Sequence, residues 1–440
     1  MRAGRIITLV LALFLVSCGD DTTASTTTTA PPGTTGASST TTGESSSTTG
    51  EASTTTVPLG QSGWARVPHD DAVFGVSDPS WMWAMMYGAT AFGQGAVAVG
   101  DRFPSVDYRD RPGVWTSADG AAWAVSPHDE AVLGGAMSVF MEAVASGPGG
   151  LVAVGSTYEG EDNDAVVFTS ADGVIWLRAS GPGGAFGGPG WQGMHAVTAG
   201  GPGWVAVGYA ASEEDWAAAV WTSADGLTWT RVPHDEALFG GENDQQMFGV
   251  IGAGPGLVAV GVDDDAPAVW LSADGLAWEK VAADGFSSDP AFANTDKVMR
   301  GVAASAQFGL VAVGYLEWYS EATGSEETDA AVWVSQDGRS WVLVSEDAAT
   351  FGGPSDQRMM AVTPGGPGFV AAGWDRAGGD ADAAVWTSLD GTSWRRIRDD
   401  AVFGGPGDQE AYGAVVAASL LIAVGRDGAS AAVWVSPPPG

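Results

Sequence analysis

A seven-residue phrase, Ser-x-Asp-Gly-x-x-Trp, is written six times in this chain, beginning at Ser117, Ser170, Ser223, Ser272, Ser335 and Ser388. Two other marks recur seven times at intervals of about fifty residues. One is the glycine that closes a Val-Ala-Val-Gly-like run: Gly100, Gly155, Gly208, Gly261, Gly314, Gly373 and Gly425. The other is an aromatic residue after valine: Trp115, Phe168, Trp221, Trp270, Trp333, Trp386 and Trp434. A unit this short cannot bury its own apolar face, so its copies must pack against one another.

Each unit holds four short apolar runs. In the fourth copy these are Phe248 to Ala253, Leu257 to Gly261, Ala268 to Ser272, and Trp278 to Val281. Alternating, β-branched and aromatic runs broken by Gly-Pro-Gly and Asp-Gly turns predict hairpin-linked strands. Helical periodicity of useful length is absent beyond the N-terminal segment. Four strands in each of seven units predict an all-β fold, a seven-bladed β-propeller of four-stranded antiparallel blades over residues 61–440. The fourth-strand Trp occurs as Trp123, Trp176, Trp229, Trp278, Trp341 and Trp394, and the seventh unit lacks one. "GWARVPHDDAVFG", beginning at Gly63, supplies the missing piece. Trp64 is therefore expected to bring the outer strand to the last blade, sealing the ring and leaving no open blade edge.

The phrase Ser-x-Asp-Gly-x-x-Trp resembles the Asp-box of sialidase-like (BNR-type) propellers, and the resemblance spans about Gly63 to Ser436. It implies an Asp folded over the hairpin between third and fourth strands, with the Trp packed beneath. Turn chemistry agrees independently, because Asp accepts backbone N–H bonds in a tight turn and Gly tolerates positive φ. Six copies, one per blade, cannot converge on one substrate. Asp119, Asp172, Asp225, Asp274, Asp337 and Asp390 are therefore read as braces rather than catalysts.

The chain opens with Arg2, Arg5 and the apolar run Ile6 to Val16, an export signal over residues 1–17 that is too brief to span a bilayer. Leu15-Val16-Ser17-Cys18 resembles the lipobox of bacterial lipoproteins. That resemblance implies cleavage before Cys18 and acylation of its thiol, and so a lipid anchor on the extracellular side of the bacterial cell membrane. Cys18 is the sole cysteine, which excludes a disulfide framework within one chain. Residues 18–60 are dominated by Thr, Ser, Gly and Pro. They offer too little apolar surface to offset ordering entropy and read as a disordered stalk. The net charge is −35, and loss of the Arg2–Arg5 segment makes the chain more acidic still. Such a surface repels phosphate backbones, so nucleic acid is excluded as a partner. Neutral glycans, cations and basic proteins remain.

Loop-length variation falls on the face bearing the second-to-third-strand loops, where binding usually resides. That face carries "YEGEDND" from Tyr158, "YAASEEDW" from Tyr209 and "YLEWYSEATGSEETD" from Tyr315. Tyr209, Tyr315 and Trp374 each follow a Val-Ala-Val-Gly-type glycine and are expected as rings at the mouth of the loops. Further polar candidates crown the inner strands: Asp244-Gln245, Asp296-Lys297, Asp356-Gln357 and Asp408-Gln409. They either converge on a ligand at the central channel or bind their own connecting loops, blade after blade. The residue after the repeated Met is not repeated at all: Tyr87, Glu142, His195, Phe248, Arg300, Met360 and Tyr412. His69, His128 and His234 share one repeat position on separate blades and form no metal cluster. No motif requires a cofactor; calcium is the metal the acidic loops would suit, with no defined ligand set.

These observations predict a non-catalytic, monomeric cell-surface lipoprotein that binds a glycan or protein ligand on an acidic, aromatic loop face. A sialidase-like or other glycoside hydrolase is the first alternative. Sialidases grip a carboxylate with an arginine triad, whereas only Arg300 and Arg358 lie on inner strands here. A structural envelope component is the second alternative.

Overall fold

The apolar runs pair in the order in which they are written. The computed structural model describes residues 60, 62–75, 81–104, 109–135, 137–158, 162–211, 216–241, 244–254, 256–282, 286, 295–321, 323–344, 349–353, 355–366, 368–376 and 379–437. All belong to the unit Thr54–Gly440. The signal, Cys18 and nearly all of the stalk lie outside the described residues.

Seven four-stranded antiparallel sheets are present. Their inner strands are Trp81–Phe92, Ser138–Gly147, Trp191–Gly200, Gln245–Ala253, Asp296–Ser305, Gln357–Gly365 and Gln409–Ala417, blades 1 to 7 in that order. Each inner strand contacts those of both neighbouring blades, and the seventh contacts the first, which closes the ring around a central channel. Blade 4 is representative: Gln245–Ala253 pairs Gly256–Asp263, which pairs Ala266–Ser272, which pairs Trp278–Lys280. The last blade takes its outer strand from the N-terminal end, with Ala65 opposite Val435 and Arg66 opposite Trp434. Trp64 is buried beside Phe403, ring centroids 5.8 Å apart.

The core lies between blades. The repeated Met86, Met141, Met194, Met247, Met299 and Met359 are fully buried, as are the Val-Trp aromatics that share a seam with them from the same blade. Five indoles of that set donate Nε1–H to carbonyls of the blade-to-blade connections, Trp115 to Val73, Trp221 to Ala185, Trp270 to Leu238, Trp386 to Thr350 and Trp434 to Val402. Such a bond satisfies the one polar atom of a buried indole. Two single-turn helices, Glu236–Phe239 and Asp400–Phe403, punctuate the connections where the sequence reads as loop. Asp235 caps the first by accepting from Ala237 N–H, and both helices tuck a Phe into a seam.

Every inner strand carries an extra residue at one shared position, and that of blade 1 a second between Trp81 and Trp83. The register slips between Met86 and Gly88, Met141 and Ala143, Met194 and Ala196, Met247 and Gly249, Met299 and Gly301, Met359 and Ala361, and Ala411 and Gly413. This is a β-bulge, which re-aims one side chain and bends the strand. It also explains the repeated glycine. The bulge presses a carbonyl of the inner strand against the second strand, and a Cβ on Gly261 would overlap the oxygen of Gln246. The same overlap, with the equivalent carbonyl, occurs at Gly100, Gly155, Gly208, Gly314, Gly373 and Gly425.

Candidate functional site

The residues inserted by the bulges are Tyr87, Glu142, His195, Phe248, Arg300, Met360 and Tyr412, the one repeat position whose chemistry changes from blade to blade. They meet around the channel. His195 Nδ1 lies 2.5 Å from Glu142 Oε2. The His195 and Phe248 rings are 5.1 Å apart, and the Arg300 guanidinium sits 4.2 Å from the Phe248 centroid. Tyr87 and Tyr412 close the circle at 5.5 Å. A carboxylate only accepts, so His195 donates from Nδ1 to Glu142 in a charge-assisted bond. Among the described residues, His195 Nε2 is buried with no hydrogen-bond partner.

Electrostatics confirm how tight this space is. Burial pulls the Arg300 pKa down, while Tyr315 and the Glu142 charge push it back up. Burial pushes the Tyr209 phenol up, and Glu142 adds to the shift. Burial and then the Asp101 charge raise Tyr87, with Glu142 contributing. Glu142 of blade 2 is thus felt from blades 1, 3 and 5. Asp101, 1% exposed, has its carboxyl raised well above the usual range by burial, then by Asp110, although Met141 N–H donates to it. On the far wall Tyr412 donates to Glu410, whose same oxygen accepts from Arg426 Nε at 2.7 Å. Burial and then the Glu410 charge raise the Tyr412 phenol, so it stays protonated.

An aromatic line runs from the loop face into this ring. Trp191, 41% exposed, stands edge-on to Trp216 at 5.7 Å; Trp216 meets Tyr209 at 4.8 Å; Tyr209 meets His195 at 5.1 Å. Tyr158 and Tyr319 are also exposed.

The structure places the rings expected at the loop mouths differently. Tyr209, Tyr315 and Trp374 are 5%, 7% and 8% exposed. Tyr315 packs with Phe248, Val262 and Val298, and the Arg358 guanidinium lies 4.3 Å from Tyr315 and 5.4 Å from Trp374. All three are buried, so they support the wall from behind rather than offering a face.

The polar pairs at the strand starts stitch blades together. Asp244 accepts from Trp216 N–H at 3.1 Å, Asp356 from Thr328 N–H at 3.0 Å, and Asp408 from Ala381 N–H at 3.0 Å, each donor belonging to the preceding blade. Gln245, Gln357 and Gln409 are buried, donating to Gly240 O, to Ser355 and Asp375, and to Pro406 O and Asp427. Lys297 is half-buried with Nζ on Thr295 O, beside half-buried Asp296. These groups are engaged at the seams and do not converge on the axis.

The phrase Ser-x-Asp-Gly-x-x-Trp makes the same bonds each time. Asp119, Asp172, Asp225, Asp274, Asp337 and Asp390 each accept the N–H groups two and three residues on, at 2.6–2.9 Å. Burial opposes ionisation of Asp390, yet the N–H groups of Ser393 and Thr392 bring its carboxyl to about 2. His69, His128 and His234 pair locally with Asp71, Glu130 and Glu236. Among the described residues no group of three or more His, Cys, Asp or Glu could hold a metal ion, and the loop at 159–161 lies outside them. A cavity of about 420 Å³ lined by Pro182, Thr230, Arg231 and His234 lies on the outer side of blade 3, away from the channel. It gathers no opposed pair of reactive groups.

No protein-family model matches the chain, and no curated protein matches it. Solved structures do. Chaetomium thermophilum Sqt1 is 13% identical over 80% of this chain and 82% of its own, TM-score 0.44. A putative glycosidase from Bacteroides thetaiotaomicron is 12% identical over 86% and 97%, TM-score 0.37. A structure reporting that the GH130 family of mannoside phosphorylases contains glycoside hydrolases acting on β-1,2 mannosidic linkages in Candida mannan is 13% identical over 86% and 94%, TM-score 0.36. These scores fall below 0.5, so the seven-bladed architecture rests on the chain's own strand pairing.

Proposed function

We propose that this chain is an exported, lipid-anchored, monomeric binding protein whose propeller takes a neutral glycan on the loop face of blades 2 to 4. The observation that carries the reading is exposed Trp191 standing edge-on to half-buried Trp216 at the rim, backed by the buried rings of Tyr209, His195 and Phe248. Sugars present apolar C–H faces that stack on aromatic rings, while hydroxyls reach polar groups beyond them. A net charge of −35 disfavours an anionic glycan. Binding without chemistry is favoured by the state of the channel groups: Glu142 holds His195, and Glu410 holds Tyr412 and Arg426.

Affinity electrophoresis in gels of neutral polysaccharides tests this. Wild-type migration is expected to be retarded by at least one neutral polymer, and Trp191→Ala is expected to weaken that binding at least about tenfold, the size of a lost stacking anchor. Trp374→Ala, at a buried site, should act through stability instead. Retardation unchanged in Trp191→Ala would remove the ring from the site. No retardation of the wild type by any neutral polymer would turn the search to protein partners. The anchor has its own test: Cys18→Ala is expected to release the protein into the medium, and a mutant that stays with membranes would end the lipobox reading.

A further inference from the structure

Two channel groups remain under-used. Glu142 gives one oxygen to His195, and its side chain is 24% exposed. Arg300, which lies over Phe248, has no carboxylate within ion-pairing distance among the described residues. The two groups feel each other's charge from blades 2 and 5. They do not pair, since both are held on the channel wall: Glu142 by His195, and Arg300 by the Phe248 face. The wall therefore presents a free acceptor opposite a free cluster of donors. An anion would satisfy Arg300 and be repelled by Glu142; a cation would do the reverse. An uncharged group with a donor on one side and an acceptor on the other gives each of the two a partner without a like charge against either. An amide does this, because its N–H and C=O are separate atoms pointing apart, whereas a hydroxyl must serve both neighbours from a single oxygen. Half-buried Met360, at the same bulge position on the next blade, supplies apolar surface in the same ring.

We propose that the bulge ring is a subsite for a secondary amide, with N–H donated to Glu142, C=O accepting from Arg300 and a methyl against Met360. Resting on the glycan reading above, the ligand class is a neutral glycan bearing acetamido groups. Nothing in the repeat demands Glu142 or Arg300, since other blades place Tyr, Phe or Met at the same bulge.

The test is calorimetry of the full-length protein with three tetramers sharing one β-1,4 backbone: N-acetylglucosamine, glucose and glucosamine. The acetamido tetramer is expected to bind at least about tenfold tighter than the hydroxyl one, the gain of two hydrogen bonds to charged groups after losses. Arg300→Met and Glu142→Gln should each erase that preference, while Trp191→Ala weakens both neutral ligands alike. Equal affinity for the two neutral tetramers overturns the subsite, and so does tightest binding of the glucosamine tetramer, which would make Glu142 a cation site. If no tetramer binds, the glycan reading at these chains fails, and N-methylacetamide then decides the subsite alone. Its titration should shift the His195 imidazole signals in the NMR spectrum, and in Arg300→Met it should not. No shift in the wild type overturns the proposal. Thermal melting of each variant separates a lost contact from a lost fold.

Discussion

Gly261→Ala is expected to destabilise the propeller by about 3 kcal/mol, at the upper end of overpacking costs, although it adds a single methyl group. The methyl would overlap the carbonyl oxygen of Gln246 and crowd Met247. Neither neighbour can yield easily. Met247 is fully buried in the seam of blades 3 and 4, and the Gln246 carbonyl is held there by the bulge that inserts Phe248 between Met247 and Gly249. The strand must shift as a whole, or the bulge must collapse. A matched control lies in the neighbouring blade. Gly301→Ala adds the same methyl directly after a bulge, where the nearest atoms of the next blade stand 3.4 Å away. Blades 2, 3 and 6 already carry Ala at that position, as Ala143, Ala196 and Ala361. It should change stability by no more than about 0.5 kcal/mol. Urea unfolding of the two variants side by side checks the pair. Equal midpoints would show that the bulge is not what fixes the glycine. Because the bulge aims residue 248 into the channel, Gly261→Ala should also weaken ligand binding, and Gly301→Ala should not.

That contrast shows what the sequence carries openly and what it conceals. Four strands per unit, the Asp-Gly turns and closure by Trp64 are legible because each rests on local chemistry: alternation, turn residues and a missing Trp at a counted position. The bulge is legible only in hindsight. Its marks are the repeated glycine of the second strand and the unrepeated residue after Met, and these become one feature only when the strands are paired. The unrepeated residues were the better pointer to the channel. The repeated Asp-Gln pairs are seam stitches, whose repetition follows from the sameness of the seams. Exposure was the least legible property. Tyr209, Tyr315 and Trp374 stand at loop mouths in the sequence, but each is buried, Tyr209 against Trp216 and Trp374 against Arg358 of the same blade, and Tyr315 against Phe248 and Arg358 of the blades on either side. Trp191 is open because it begins an inner strand at the rim. Whether a ring meets solvent depends on residues that strand and blade pairing bring against it, which no local pattern records.

The ring closes at one short strand, and Trp64→Ala is expected to open it. Trp64 is 2% exposed and packs with Ile397, Val402, Phe403, Leu421 and Trp434 at the seam of blades 6 and 7. Its removal leaves a cavity worth about 4 kcal/mol by analogy with other buried Trp truncations. A comparable loss is expected for Trp229→Ala, also fully buried in blade 3. The consequences differ. Trp229 sits within a blade whose strands are joined by hairpins, so its blade reseals. Trp64 anchors a strand that reaches its blade only through pairing: Ala65 with Val435, Arg66 with Trp434, and Val67 N–H on Val433 O at 2.8 Å. Arg66 adds an ion pair to Asp427. Without the Trp anchor, those bonds, Ser62 N–H on Asp399 and the buried Val67 and Phe74 side chains must hold the N-terminal end against the entropy of release. When they fail, Ser430–Ser436 becomes an unpaired sheet edge, the kind of surface that recruits other chains. Native-state hydrogen exchange should therefore show lost protection at the amides of Ser430–Ser436 in Trp64→Ala, with aggregation rising with protein concentration. Trp229→Ala should lower global stability without that local signature. If both variants lose protection uniformly, the last blade is held by its seam with blade 6, and the N-terminal strand is a passenger rather than the latch.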